Sequence, residues 1–532
     1  MQISASMRFA AAVTMSTLLC VAQVTPKATG GGPGPQGAPL LSATAAARIL
    51  EQATWGPTPA SVAALQAQGF QAWFQSQLTA QITTYANLPM LGPDGKAFSN
   101  MSSVQVPFFE NALYNPDQLR QRVAFALSEI WVVSRDGTIG YAAAFPPLMN
   151  IFQQDAFGSY LQLMKDVTLN PAMGQYLDMV NNHRANPPGV PNENYGRELM
   201  QLFTIGLDNL NIDGTIANST PTYPQSTVDA MSRALTGWTY APTAQGAQGP
   251  NYFLPMVVQS NGTQHDTGSK ILTFTNPTGP PTTVTLAANN TAEQDLDGAL
   301  GALMANPNMA PFISKQLIQH LVTSNPSPTY VSDVAKVFNS TNGNLQAVVQ
   351  AILTDNEARA GDTSISNDLP GFGHLREPVL LFMNLLTGLN GTIYDSSTLY
   401  NYTAGLGQNL FYSPSVFSYF SPSYHVGPLL APEFQLHNTQ TTVTRANYIY
   451  SLIYNGKLDA NTLFDISAFV TAAGTSTAAL ETAINNQFFH GQMTSALQTA
   501  ITNGISGMTT PTTKAQAALY IALTSGEFQV IH

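Results

Sequence analysis

The stretch YNPDQLRQRVAFALSEIWVVS, residues 114–134, decides the fold class. Asn115 and Pro116 form a helix start signal, and the apolar residues that follow recur at helical spacing. These apolar residues are Leu119, Val123, Leu127, Ile130 and Trp131. The spacing places them on one face, so the stretch predicts a core helix.

The same helical period continues along most of the chain. It predicts further helices at 156–169, 171–181, 193–204, 226–236, 293–305, 308–323, 328–339, 344–354, 375–387, 437–454, 476–503 and 514–525. Thr58 and Pro59 predict another helix start, and Gly69 predicts the end of that helix. We therefore expect a mainly α fold, with one large multi-helix domain over residues 42–532.

An insertion at about 240–292 departs from this period. Within it, ILTFTNPTGPPTTVTL predicts a two-stranded hairpin around a Pro/Gly turn. The insertion is long and polar, and we expect it to carry this β-hairpin on the helical domain.

The amino-terminal residues have the features of an export signal. A single positive charge precedes an apolar run that is shorter than the ~20 residues a membrane span needs. We expect a signal peptide over 1–22, cleaved after Ala22, and a Gly/Pro-rich linker over 23–41. The mature protein is then periplasmic or secreted, without a stable membrane span. Cys20 is the single cysteine, so removal of the leader excludes disulfides and thiolate chemistry.

Charge and motifs exclude several classes of function. Only 9% of the residues are charged and the formal net charge is -11, with no basic run that would attract nucleic acid. The chain has no phosphate-binding glycine loop, nucleophile elbow or HExxH motif. The sequence predicts no metal site and identifies no cofactor.

The motif PNENYGRELMQLFTIGL, residues 191–207, concentrates charge in a chain that has little of it. On a helix, Glu193 and Arg197 fall on the exposed side and predict an ion pair. Glu198 falls at the edge of the apolar face, where half-burial suits a carboxylate for proton transfer. Glu198 is the catalytic candidate, with Asn192 and Asn194 as substrate-binding candidates. A purely structural glutamate is the alternative.

A second group of candidates surrounds the insertion. His265 and Asp266 lie together in NGTQHDTGSK and are candidate catalytic residues, although a simple turn is an equal alternative. His183, Arg233 and Trp238 are candidates for substrate binding. Ser226 and Asp229 have the spacing of a capping box, which predicts a structural role for that aspartate.

Several ordered motifs together resemble a known bacterial family, domain of unknown function 1800. They are ARILEQATWGPTPASVAALQAQGFQAWFQSQL, LRQRVAFALSEIWVVS, PNENYGRELMQLFTIGL, DAMSRALTGW, HDTGSKIL, PFISKQLIQHLVTSNPSPTYVSDVAKVF, NLQAVVQAIL, LREPV and ALYIALTSGEFQV. The resemblance covers about residues 46–530. It implies an exported, largely helical protein whose relatives are encoded beside a second exported family, sulfatase-like in fold. It implies no reaction.

One segment departs from the family pattern. Many relatives carry histidines in the helix that matches FALSEIWVVS, where this chain has Ser128 and Ile130. If those histidines bind metal in the relatives, this chain has lost that site. Glu129 is then the ionisable group left in the segment.

Three functions fit these observations to different degrees. The first is a carboxylate-dependent hydrolase or lyase acting on an extracytoplasmic polymer such as a polysaccharide, because the aromatic segment 406–434 offers rings that stack on sugars. The second is a non-catalytic binding or assembly protein that works with a co-exported sulfatase-like partner. A metal- or haem-dependent oxidoreductase has the least support. Neither composition nor family resemblance separates the first two.

Overall fold

The computed structural model describes residues 41–184, 191–243, 249–260 and 264–532. Residues 41–532 belong to one compact unit. The signal peptide predicted over 1–22 and all but the last residue of the predicted linker lie outside the described residues.

The chain is mainly α-helical, which confirms the predicted fold class. The helices of the first half are α1 (Ala43–Ala53), α2 (Pro59–Thr79), α3 (Ser102–Tyr114), α4 (Gln118–Ile130), α5 (Phe145–Asp155), α6 (Tyr160–Thr168), α7 (Pro171–Tyr176), α8 (Asn194–Gln201), α9 (Gln225–Ala234) and α10 (Ala292–Met304). The later helices are α11 (Met309–Leu321), α12 (Pro328–Ser340), α13 (Leu345–Thr354), α14 (Asn356–Arg359), α15 (Pro378–Gly388), α16 (Leu399–Ala404), α17 (Thr439–Tyr454), α18 (Ser467–Thr475), α19 (Thr477–Phe488), α20 (Ser495–Ile505), α21 (Pro511–Thr524) and α22 (Gly526–Gln529).

The strands of the described residues are short and form two- or three-stranded sheets. They are β1 (Asp208–Leu210), β2 (Ile216–Pro221), β3 (Trp238–Thr239), β4 (Val257–Val258), β5 (Lys270–Phe274), β6 (Thr282–Leu286), β7 (His374–Leu375), β8 (Thr392–Ile393), β9 (His425–Val426), β10 (Leu429–Leu430), β11 (Lys457–Asp459), β12 (Thr462–Leu463) and β13 (Val530–Ile531). β5 and β6 pair antiparallel, which confirms the predicted hairpin in the insertion. Other small pairs lie outside the insertion, as where β13 of the carboxyl-terminal end pairs with β7.

Helix α4 forms the centre of the core. Leu119, Val123 and Leu127 are completely buried, as the sequence predicts, and the helix packs against α5 and α11. Its start differs from the prediction, because Asp117 precedes the first turn without capping it. The Asp117 carboxylate instead accepts hydrogen bonds from the backbone N–H and the hydroxyl of Thr83.

Local backbone geometry explains where other helices begin and end. Gly69 interrupts α2 with φ 74°, a conformation that glycine adopts without strain, and this confirms the predicted break. The single helix predicted at 476–503 is wrong: α19 and α20 are separated by a turn in which His490 and Gly491 both have positive φ. The capping box predicted at Ser226 is also wrong, because α9 begins at Gln225 without a side-chain cap.

In the described part of the chain, no helix combines the length and the apolar character that crossing a bilayer requires.

Candidate functional site

Helix α8 positions the predicted catalytic motif. Tyr195 and Leu199 are buried on its inner face, as predicted. The Tyr195 hydroxyl hydrogen-bonds the hydroxyl of Thr168 at 2.6 Å. Just beyond the helix, the ring of Phe203 stacks on Trp131 with centroids 4.5 Å apart. These contacts fix the rotation of α8 and therefore which of its side chains reach solvent.

Glu193 and Arg197 lie on the outer side of α8 and form the predicted ion pair. The Arg197 Nη2 donates to Glu193 Oε2 at 2.5 Å, and both side chains remain partly exposed. Gln225 Nε2 donates to the same carboxylate oxygen at 3.0 Å. The charge of Glu193 is therefore compensated at the surface.

Glu198 is half-buried at the edge of this face, as the helical spacing predicts. Its Oε2 is buried and receives no hydrogen bond from the described residues. Burial raises the pKa of Glu198 above its usual value, and the charge of Arg197 opposes that rise only in part. An unpaired, half-buried carboxyl of this kind is free to accept or donate a proton.

Two tyrosines lie near the Glu198 carboxyl. Burial raises the pKa of Tyr176 to about 12, and the negative charge of Glu198 adds to that rise. Burial also raises the pKa of Tyr223 to about 12, again with a contribution from Glu198. The Tyr223 hydroxyl is buried and unpaired among the described residues. Both phenols are therefore neutral near pH 7 and are able to donate a proton or a hydrogen bond.

The predicted substrate-binding asparagines hold the segment in front of α8. Asn194 Nδ2 donates to Asp178 Oδ2 at 2.7 Å. Asn182 Nδ2 donates to the carbonyl of Asn192 at 3.0 Å, and the Asn192 N–H donates back to Asn182 Oδ1 at 3.1 Å. Asn192 and Asn194 are both exposed, so they form a polar rim beside the half-buried Glu198.

His183 is exposed on the same loop as Asn182. Its Nδ1 lies 3.3 Å from Gln259 Nε2, which belongs to the insertion. The backbone N–H of Arg184 donates to the carbonyl of Gln264 at 2.8 Å. The structure therefore brings His183 to the polar rim and joins that rim to the insertion. Residues 185–190 and 261–263 lie outside the described residues.

His265 is buried, and both of its ring nitrogens are engaged. Nδ1 lies 2.9 Å from the carbonyl of Thr236, and Nε2 lies 3.0 Å from Asp295 Oδ2. Lys270 Nζ lies 2.5 Å from the same Asp295 oxygen, and both of these side chains are completely buried. This network ties the insertion to α10. No hydrogen bond joins His265 to Glu198, and the catalytic role predicted for this histidine stays a prediction.

Asp266 and Arg233 form a bidentate pair beside this network. Arg233 Nε and Nη2 donate to the two carboxylate oxygens, each at 2.9 Å. Burial acts to raise the pKa of Asp266, but the hydrogen bonds from Arg233 and Gly268 outweigh it and lower the pKa. Trp238 is buried in the core rather than at the surface. The predicted candidates therefore divide between the polar rim near Glu198 and the ion-paired base of the insertion.

Sequence reasoning missed a buried pair of glutamates deep in the core. Gln408 Nε2 donates to Glu129 Oε1 at 3.2 Å and to Glu377 Oε2 at 2.5 Å. Its Oε1 accepts the backbone N–H of Val379 at 2.8 Å, which fixes the orientation of the amide. Glu129 comes from α4 and Glu377 directly precedes α15, so the glutamate pair joins two central helices.

Two basic side chains, His320 and Arg122, approach the glutamate pair. His320 Nδ1, on α11, lies 3.3 Å from Glu129 Oε2. Arg122 is buried, donates to the carbonyl of His320 at 3.1 Å, and lies over the ring of Trp55. Burial lowers the pKa of both His320 and Arg122, while the nearby glutamates act in the opposite direction.

The glutamate pair retains a proton near neutral pH. Burial raises the pKa of Glu129 to about 7, although the hydrogen bond to Glu377 and the charge of Arg122 oppose the rise. Burial and the charge of Glu129 raise the pKa of Glu377 well above its usual value. Two adjacent carboxylates in the core cannot both ionise without a large cost in free energy.

A small cavity of about 30 Å³ lies beside Glu129, with room for a water molecule. Phe411 and Tyr419, from the aromatic segment 406–434, line it together with Ser128. The Phe411 N–H donates to the Tyr419 hydroxyl oxygen at 3.0 Å. The cavity is too small for a sugar ring, so the glutamate pair is closed to a polymer in this conformation.

A signal for this pair is visible in the sequence. Glu129 stands in the run AFALSEIWVV, residues 124–133, in which every other residue except Ser128 is apolar. A carboxylate in such a stripe needs a partner, because an unpaired buried charge is strongly unfavourable. The partners Glu377 and Gln408 lie far along the chain and are not predictable from the helical period.

The fold and these sites define a mainly α-helical protein with a half-buried motif carboxylate at its surface and a glutamate pair in its core. Among such proteins, the chain belongs to the family described as "Protein of unknown function (DUF1800)", whose sequence model matches residues 48–530. This confirms the resemblance seen in the ordered motifs. Neither a curated protein nor a solved structure matches the chain.

Proposed function

We propose that the protein is a carboxylate-dependent hydrolase or lyase that acts on an extracytoplasmic polymer such as a polysaccharide, with Glu198 as the proton-transferring group. The observation that carries the proposal is the buried, unpaired Oε2 of Glu198 at the edge of an exposed polar rim. Glu129 and Glu377 are more deeply buried, but the cavity beside Glu129 is too small for a sugar ring.

The surroundings of Glu198 supply the other groups that such a reaction needs. A lyase requires a base and an acid, and the Glu198 carboxylate with the neutral phenol of Tyr223 supports both roles. Most glycoside hydrolases use a second carboxylate, and Asp178 is held beside the motif by Asn194. Asn192 and His183 offer exposed amide and imidazole groups for hydrogen bonds to sugar hydroxyls.

In this proposal, the buried candidates position the site rather than contact the polymer. His265 and Asp295 anchor the insertion that reaches His183, and Asp266 with Arg233 orders its base. These buried residues then affect turnover only by fixing the positions of the residues in the polar rim.

Exchanging Glu198 for glutamine tests the proposal. The experiment screens wild-type protein against neutral and acidic polysaccharides, then assays Glu198→Gln on the polymer that is degraded. Because glutamine keeps the shape but not the titratable group, we expect turnover to fall by about 100-fold or more. Glu193→Gln is the matched control, since it removes a compensated surface charge in the same motif and should retain turnover. Full activity of Glu198→Gln would eliminate it as the acid or base.

One observation favours the second function, a binding or assembly protein. In the aromatic segment 406–434, Tyr419 and Phe420 are buried, whereas Phe417, Tyr424 and Leu429 are exposed large apolar side chains. Exposed apolar groups that lie close together in a chain mark contact surfaces. If Glu198→Gln is badly destabilised and no polymer is degraded, assembly with a co-exported sulfatase-like partner becomes the better proposal.

A further inference from the structure

A cleft of about 380 Å³ lies away from Glu198, between helices α2 and α3 and the end of α15. Small-molecule sites in proteins usually measure roughly 300–1,000 Å³, so the cleft is large enough to hold a ligand. None of the residues that line it belongs to the motif of residues 191–207. The cleft is therefore a separate site.

The lining of the cleft mixes apolar and polar side chains and carries no formal charge. Among the described residues that line it there is no Asp, Glu, Lys, Arg or His. Side-chain amides and aromatic rings supply its chemistry, from Gln77, Asn115, Gln118, Asn390, Trp73 and Tyr114. Amides and aromatic rings suit a ligand that has many hydroxyl groups, flat apolar faces and no charge.

Tyr114 is an exposed aromatic ring that is held in place. The residue is 55% exposed, so its ring is accessible to a ligand. Its hydroxyl accepts the backbone N–H of Ile393 at 2.8 Å and donates to the carbonyl of the same residue at 3.1 Å. Because the ring is already fixed, a ligand that stacks on it loses little side-chain entropy.

Gln77 adds a hydrogen-bond donor to the cleft, and Trp73 adds an indole ring. Gln77 Oε1 accepts the backbone N–H of Leu119 at 3.1 Å, which fixes the amide and leaves its Nε2 group available to a ligand. Trp73 is buried on the same helix and lines the cleft. A ligand in the cleft therefore meets a fixed ring, a fixed amide and an indole.

We propose that this cleft binds the uncharged sugar rings of a polysaccharide or oligosaccharide. The net charge of the chain, -11, agrees with this ligand class, because a negative field disfavours anionic polymers. The inference goes beyond the proposed reaction, since binding in this cleft does not require Glu198.

The test is a calorimetric titration of the full-length protein with neutral hexasaccharides of glucose, xylose, mannose and N-acetylglucosamine, with hexagalacturonate as the charged comparison. We expect at least one neutral hexasaccharide to bind, and hexagalacturonate to bind much more weakly. Tyr114→Ala should weaken binding by about tenfold, the scale of one aromatic contact. Gln77→Glu keeps the acceptor for Leu119 but replaces the free donor with a charge, so it should also weaken binding.

Two controls make the result decisive. Tyr450→Ala removes another exposed tyrosine, 49% accessible and outside the cleft, and should leave the affinity unchanged. Glu198→Gln should bind like the wild type, because the cleft is a separate site. The proposal is overturned if no neutral hexasaccharide binds, if Tyr114→Ala and Gln77→Glu bind as well as wild type, or if Glu198→Gln loses binding. If Glu198→Gln loses turnover but still binds the sugar, the result concerns the proposed reaction and leaves the proposed sugar site unaffected.

Discussion

Glu129 and Glu377 accept hydrogen bonds from the same nitrogen, Nε2 of Gln408, at 3.2 and 2.5 Å. The three side chains are buried and come from distant parts of the chain. One amide N–H₂ group thus holds two carboxyl groups close together, and the pair remains stable only if it keeps a proton. This arrangement makes stability depend on pH.

The free energy of unfolding should fall as the pH rises from about 4.5 to about 7. In this range Glu129 loses its proton in the unfolded chain but keeps it in the folded protein. In the folded protein the pKa of Glu129 is raised from its usual 4.5 to about 7. Between these values the native state holds the extra proton, so its stability decreases with increasing pH. The decrease attributable to this group should be about 3 kcal/mol. Urea unfolding at a series of pH values measures it.

Glu129→Gln isolates this contribution. Glutamine still accepts from Gln408 and is able to donate to Glu377, so the core should stay hydrogen-bonded. The variant should gain stability relative to wild type at pH 8 and show a smaller decrease with pH. Glu193→Gln, which changes a partly exposed carboxylate, should follow the wild-type profile. Parallel profiles for wild type and Glu129→Gln would contradict the assignment.

A second buried pair, Glu51 and Arg376, should make the protein more stable as the pH rises, the opposite of the effect of Glu129. Arg376 donates to Glu51 Oε1 at 2.8 Å, and Asn384 donates to both carboxylate oxygens. Burial alone would raise the pKa of Glu51, but Arg376 and His490 outweigh it and lower the pKa to about 2. The stability from this pair is present above pH 4.5 and is lost as the pH falls towards 2.

Glu51→Gln should therefore destabilise the protein by roughly 3–5 kcal/mol at pH 7, because it leaves the buried charge of Arg376 without its partner. Urea unfolding gives the value, and Arg376→Gln combined with Glu51→Gln shows whether the two residues are coupled. If the double variant loses the sum of the two single losses, the pair is not a unit and the prediction fails.

The sequence predicts well which residues face the core. It predicts less well which of those residues contact each other. Periodicity places Tyr195 and Leu199 inside and Glu198 at the edge, because a helix turns by a fixed angle per residue. The contact of Gln408 with Glu129 spans 279 residues and depends on how the segment after α16 packs against α4. A period within one helix contains no information about such a partner.

Long-range contacts also explain why the sequence makes His265 a catalytic candidate although the structure buries it. Next to Asp266 in a polar loop, it has the composition of a candidate base. Its actual partner, Asp295, lies 30 residues later on α10, and the contact buries the imidazole. Local sequence shows the residue type but not its burial, and burial decides whether a histidine meets a substrate.

Export is a prediction of the sequence and concerns residues outside the described structure. A short apolar run followed by a Gly/Pro-rich linker is typical of a cleaved signal peptide. The protein recovered from the periplasm or medium should begin near Gln23. Intact-mass measurement checks this, and a secreted product that retains Met1 would rule it out.

The network of Asp295, Lys270 and His265 should determine the stability of the insertion. Lys270 and Asp295 are completely buried with Nζ and Oδ2 2.5 Å apart, and Lys270 also donates to the carbonyl of Gly268 at 2.9 Å. Asp295→Asn removes the carboxylate charge closest to the ammonium group and leaves Asp266 Oδ1, 3.9 Å away, as its remaining charged partner. A loss of roughly 3–5 kcal/mol is expected, as for other broken buried pairs. His265→Gln should lose less, because it leaves the ion pair between Lys270 and Asp295 in place. Urea unfolding of both variants checks which of them loses more stability.

Equal stability of Asp295→Asn and wild type would show that the buried charges contribute nothing to stability. The insertion would then depend on its apolar contacts alone.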